Sequence, residues 1–90
     1  MRIITKYRAK PQHGITLEKM LQELITPTRR ARGCVRYDLH RSLDLQLVFF
    51  ADQLWESKEN WQVFMSSKEM QKFDALIEGI LDEYDQCFAD

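Results

Sequence analysis

The sequence predicts an α+β fold in which a four-stranded antiparallel sheet carries helices on one face. Three observations predict it. Residues 2–9 and 34–42 alternate their side chains with a period of two. Residues 46–55 give the strongest strand signal of the chain and are apolar on both sides. Between and after these segments run apolar stripes at helical spacing. The order is β-α-β-β-α-α with a possible closing β, the split arrangement of ferredoxin-like folds.

In the first segment Ile3, Thr5 and Tyr7 alternate with Ile4, Lys6 and Arg8, a pattern rich in β-formers. Pro11 and Gly14 then break the strand. Thr16 can cap a helix whose Leu17, Met20, Leu21, Leu24 and Ile25 share one face. Pro27 removes one helical hydrogen bond, so a kinked helix ending near Gly33 is expected, with its arginines beside the negative end of the dipole.

Val35, Tyr37 and Leu39 alternate with Cys34, Arg36, Asp38 and His40 in the second strand, and a turn follows around residues 42–45. The third strand sets Leu47, Phe49, Ala51, Gln53 and Trp55 against Val48, Phe50, Asp52 and Leu54. Helices cover one face only. The other face calls for a partner, and a second copy packed sheet to sheet, a homodimer, is the simplest supply.

Ser57 is placed to cap a short helix carrying Trp61, Phe64 and Met65, and Ser66 with Glu69 offers a capping box for the next. The stripe of Met70, Phe73, Ile77, Ile80, Leu81 and Tyr84 predicts that this last helix is long. Residues 84–89 are then its frayed end or a short final strand.

Ninety residues make one domain over 1–90, and 44% hydrophobic with 30% charged residues is enough apolar content to fold. Thirteen basic against fourteen acidic residues leave a formal charge of −1, so no global field attracts nucleic acid or an anionic membrane. The longest apolar run, residues 47–51, is far short of the roughly 20 residues a membrane helix needs. Cys34 and Cys87 make no disulfide framework and no leader pattern is evident, so a reduced, cytoplasmic protein is expected.

No His-Glu-x-x-His, Cys-x-x-Cys, Gly-x-Gly-x-x-Gly or Walker loop occurs, so zinc hydrolysis and nucleotide-phosphate chemistry have no support and no metal is expected. His40 reads either as a base near neutral pH or as a polar residue at a sheet rim. Cys34 reads either as a structural thiol or as a reactive nucleophile, and Asp38 and Asp52 either as groups facing a sheet edge or a partner chain or as a source of a carboxylate. The Arg29, Arg30, Arg32 and Arg36 cluster reads either as a solvated helix end or as a site for an anionic group of a substrate. The aromatic residues either fill a core or wall a pocket for a planar ligand.

The stretch from Pro27 to Ser42, with its Gly33-Cys34 and Tyr37, then residues 49–55, Trp55 to Asn60 and Phe73, resembles the antibiotic biosynthesis monooxygenase (ABM) domain family over about residues 2–82. The resemblance implies a dimeric α+β barrel, two ferredoxin-like protomers with sheets face to face and helices outside. Family members include small enzymes that oxidise quinols or polycyclic phenols with dioxygen and no cofactor, haem-degrading enzymes, and an isomerase of a phosphorylated signal metabolite. For this chain it implies a cofactor-independent monooxygenase acting on a small aromatic substrate. Tyr7 and Tyr37 would orient a phenol, His40 would serve as base, and Tyr37, Trp55, Trp61, Phe64 and Phe73 would wall the pocket.

The chain departs from the family pattern at Gln53, where many members have Glu, and at Phe64 and Glu69, where His is common. The haem-degrading branch uses an Asn, a Trp and a His at positions matching Tyr7, Phe64 and Asp74, so haem chemistry is disfavoured. The alternative reading is a non-catalytic ligand-binding or interaction module on the same dimeric scaffold. Oxygen consumption by metal-free protein separates the two.

Overall fold

Strand β1, Arg2–Ala9, alternates between fully buried Ile3, Thr5, Tyr7 and Ala9 and half-buried or exposed neighbours, as its period of two requires. It lies inside the sheet of the computed structural model, which describes residues 1–89. The remaining elements are α1 (Gly14–Arg30), β2 (Cys34–Arg41), β3 (Val48–Trp55), α2 (Lys58–Met65), α3 (Lys68–Ile77) and β4 (Leu81–Ala89). The strand order is β2-β3-β1-β4 with every neighbouring pair antiparallel. This is a ferredoxin-like α+β arrangement, with its helices on one face.

Helix α1 begins two residues before the expected Thr16 cap. Its N-cap is His13, which makes no side-chain capping bond, so Thr16 lies inside the first turn. Leu17, Leu21 and Leu24 are buried against the sheet, as the stripe predicts. Pro27 sits within the helix. The carbonyl it leaves unpaired belongs to exposed Glu23, where water can satisfy it, and the next residue, Thr28, donates its hydroxyl to Leu24 O at 2.6 Å. The helix stops at Arg30, and Gly33 turns the chain with φ of 85°. A Cβ at Gly33 would collide with the Asn60 side chain, and the Gly33 carbonyl accepts from Glu56 N at 2.7 Å. Gly33 therefore fits the start of β2 against the start of α2.

Three expectations are corrected. In β2 the register against β3 shifts between Cys34 and Arg36, a bulge that turns Val35 outward to 58% exposure and lets Cys34 pack against the core beside Tyr37 and Leu39. The Ser66–Glu69 capping box does not form, because the cap of α3 is Ser67, whose Oγ accepts from Met70 N at 3.3 Å. The last helix is not long. It ends at Ile77, and Leu81–Ala89 pairs with β1 along its whole length as β4. A strand closing the sheet satisfies backbone groups of β1 that a helix over these residues would leave bare. The Ser57 cap of α2 forms as expected, accepting from Asn60 N at 3.1 Å.

The face without helices has an apolar centre of half-buried Ile4, Phe50 and Leu54, framed by charge. Asp52 accepts from Arg2 through both carboxylate oxygens, at 3.0 and 2.8 Å, and from Arg36 at 3.3 Å. Lys6 and Arg8 pair with Glu83 on β4. No helix of the described residues is long and apolar enough to cross a membrane.

Candidate functional site

Antiparallel pairing fixes which side chains share the helix-covered face. Tyr7 stands opposite Tyr84 and Tyr37 opposite Gln53, and all four point to the same side as the helices. They surround a small cavity between sheet and helices, which Asp74 of α3 and Gln86 of β4 also border. Leu24 and Thr28 close it from α1, and Phe64, Met65 and Met70 from the later helices. Its free volume is about 20 Å³, room for about one water, which needs ~10–15 Å³ by this measure.

The cavity is polar for its size. Burial pushes the Tyr7 hydroxyl well above the ordinary tyrosine range, reinforced by Tyr37, Tyr84 and Asp74. Burial likewise lifts Tyr37 to about 12 and raises Tyr84, to which the Asp74 charge adds. The three phenols therefore stay protonated at neutral pH and can donate hydrogen bonds. Burial also raises the Asp74 carboxyl above its usual range, although the residue as a whole is exposed on the outside of α3. Gln53 is fixed by accepting from Trp55 Nε1 at 2.9 Å, so Trp55 supports the cavity wall from below.

Of the residues expected at the site, the structure gathers Tyr7, Tyr37 and Phe64 around this cavity. Trp55 is buried and packs on Phe64, ring centroids 5.6 Å apart, without lining the space. Phe73 is core, 7% exposed and clustered with Leu17, Leu21 and Leu24. Trp61 turns to Phe88 on β4, ring centroids 5.2 Å apart, with its indole N–H buried and unpaired among the described residues. His40 lies on the other face of the sheet. It is exposed, three residues after the inward-facing Tyr37, and close enough to Asp52 to help hold that carboxyl below its usual range, behind the larger effect of Arg2. It cannot act as base for a molecule held between Tyr7 and Tyr37 of the same protomer.

Asp74, Tyr84, Gln86 and Thr28 were not expected in the cavity. The signal available for Asp74 was its position one turn after Met70 on the edge of the apolar stripe. Gln86 carries no such signal, and the stripe that includes Tyr84 assigns that residue to a helix and not to the sheet.

A wider groove of about 540 Å³ runs between the tip of the β2–β3 hairpin and the start of α1, past Pro11, Ile15, Leu43 and Leu45. It opens outward and contains none of the tyrosines. Convergent polar groups with displaced ionisation single out the inner cavity instead. Among the described residues no cluster of three or more His, Cys, Asp or Glu is gathered to hold a metal ion.

The same architecture recurs in solved structures. PA3566 from Pseudomonas aeruginosa superimposes with a TM-score of 0.87 at 25% identity over 99% of this chain and 92% of that one. The structure of Rv0793 from Mycobacterium tuberculosis superimposes with a TM-score of 0.88 at 22% identity, over 99% and 93%. In sequence, "Putative monooxygenase Rv0793" is 39% identical over 49 residues, 53% of this chain and 48% of that relative, so the aligned stretch spans about half of the relative's length. The sequence model described as antibiotic biosynthesis monooxygenase matches residues 1–76, which takes in β1 through α3 up to its last turn and so nearly every wall of the cavity. The chain belongs to the antibiotic biosynthesis monooxygenase family.

Proposed function

We propose that this protein is a cofactor-independent monooxygenase that oxidises a quinol or another electron-rich aromatic with dioxygen in the cavity between sheet and helices. The observation that carries the reading is the ring of three buried or half-buried tyrosines around a cavity whose wall holds a single carboxyl among neutral groups. An electron-rich phenol, once deprotonated, can itself give an electron to dioxygen. The protein then needs only to orient the ring, exclude water and move a proton. Tyr7 and Tyr37, kept protonated by burial, are suited to orient the phenol by hydrogen bonding.

The cavity must widen to admit an aromatic ring. Its yielding side is α2, none of whose residues is buried, together with the adaptable thioethers of Met65 and Met70. The homodimer is part of the proposal. Pairing two open sheet faces would cover Ile4, Phe50 and Leu54, which one protomer leaves partly bare. Two free thiols, Cys34 and Cys87, fit a reduced cytoplasmic setting.

The test is oxygen uptake by metal-free protein with a panel of naphthols, anthrols and their quinols. A phenol with an open para position should give quinone and water, with one oxygen of labelled dioxygen in the quinone. No uptake with any of them, alongside tight binding of an aromatic, would point to the non-catalytic ligand-binding module.

A further inference from the structure

The inner cavity also indicates how a phenol would be activated, an inference that rests on the oxidative reading above. Among the described residues that line it, Asp74 is the one side chain that is ordinarily charged at neutral pH. Every other element packed there presents neutral groups: β1 brings Tyr7, β2 Tyr37, β3 Gln53 and β4 Tyr84 with Gln86. Helix α1 adds Leu24 and Thr28, and α2 adds Phe64 and Met65. Asp74 also sits where the outside of α3 meets the cavity, so its carboxyl can exchange protons with solvent and face a ligand within.

We infer that Asp74 is the general base of this site, and that the substrate is a phenol or quinol whose hydroxyl lies between Asp74 and the Tyr7–Tyr84 pair. The proton passes from the phenol oxygen to a carboxylate oxygen of Asp74, and the bonding pair stays on the substrate as phenolate. Tyr7 and Tyr84, being protonated, donate to that oxygen. The phenolate gives its electrons to dioxygen, one oxygen bonds to the open ring carbon as the C–H bond there and the O–O bond break, and the other oxygen leaves as water carrying that ring proton and the Asp74 proton. Phenol and dioxygen thus become quinone and water with atoms and electrons balanced. Burial supports the role, because raising the Asp74 carboxyl makes its carboxylate a stronger base. His40, on the opposite face, has no path to this proton.

The test uses two readouts on wild type, Asp74→Asn and Asp74→Glu. The first is 4-nitrophenol, whose phenol and phenolate forms differ in colour and which need not react. A neighbouring carboxylate favours the protonated probe, so at pH 7 wild type should bind it as phenol, and the Asp74→Asn variant should shift it towards phenolate. The second is oxygen uptake. Asp74→Asn should lose about 10²–10⁴-fold in kcat/KM, Asp74→Glu should recover part of it, and the rising acid limb of the wild-type pH profile should vanish in Asp74→Asn. Identical probe colour in wild type and Asp74→Asn, or failure of wild type to bind the probe, overturns the assignment. Undiminished oxygen uptake by Asp74→Asn also overturns it and leaves the oxidative reading standing. A wild type that consumes no oxygen yet shows the colour difference removes the oxidation and keeps Asp74 only as the carboxylate that faces the phenol hydroxyl.

Discussion

Tyr7 and Tyr84 meet edge to face across the β1–β4 pairing, with ring centroids 5.5 Å apart and planes at 61°. Tyr7 is 6% exposed and Tyr84 50%, so the outer ring covers the inner one and walls the cavity from the sheet edge. Edge-to-face pairs add about 0.5–1.5 kcal/mol beyond their buried area. Tyr84→Ala should therefore destabilise the protein by about 1–2 kcal/mol in urea unfolding, and Tyr84→Phe by less, since the ring pair survives. A Tyr84→Ala variant as stable as wild type would mean that β4 is held by its backbone pairing alone.

Burial of Asp74 predicts a trade between stability and chemistry. Its folded-state carboxyl titrates above its ordinary value, so the unfolded chain gives up this proton first as pH rises. The group is neutral in both states below the unfolded value of about 4. Its cost builds as pH climbs from there and is complete above the folded value. Asp74→Asn should accordingly melt higher than wild type at pH 7 and match it near pH 3. A variant less stable at pH 7 would show that the carboxylate has a favourable partner.

The strand pattern of β1 and β3 and the Ser57 cap were legible because each depends on its own residues. The end of α3 was not. Ile80, Leu81 and Tyr84 continue the spacing of Met70, Phe73 and Ile77, and the local sign that the helix stops before them is the single Gly79 after its last turn. What decides it is the unpaired edge of β1, a tertiary demand that overrides periodicity. The acidic Asp82, Glu83 and Asp85 then read as edge protection. The site inherited this ambiguity. Tyr84 and Gln86 reach the cavity only as strand residues, and Asp74 gains its neighbours only once β4 lies beside β1. The placement of His40 was legible, since three residues from Tyr37 is an odd step along a strand and reverses the face.

Gly33 holds a junction that another residue cannot. Its φ of 85° and the Asn60 side chain beside it oppose any Cβ, while its carbonyl binds Glu56 N. Left-handed backbone costs a non-glycine residue about 1–3 kcal/mol, before the clash is counted. Gly33→Ala should lower stability by about 2 kcal/mol or more in urea unfolding. Asn60→Ala in the same chain should return part of that loss, because it removes the colliding Cγ and Oδ1 and leaves only the Cβ contact. No recovery in the double variant would assign the cost to the backbone and that remaining contact.

Phe50 offers the sharpest test of the homodimer. It stands opposite Lys6 on one neighbouring strand and His40 on the other, at the apolar centre of the open sheet face. In a lone protomer Phe50→Glu loses little, since the new carboxylate is solvated and flanked by the Lys6 ammonium. Between two packed sheets the same carboxylate is desolvated, and Lys6 is already engaged by Glu83 at 3.1 Å. An uncompensated buried charge costs about 3–5 kcal/mol, which weakens a dimer by roughly 100-fold or more in Kd. Sedimentation should find the wild type as a dimer at micromolar concentration and Phe50→Glu as a folded monomer with an unchanged far-UV spectrum. Monomeric wild type would sink the sheet-to-sheet pairing, and a Phe50→Glu dimer of undiminished affinity would move the interface to another surface.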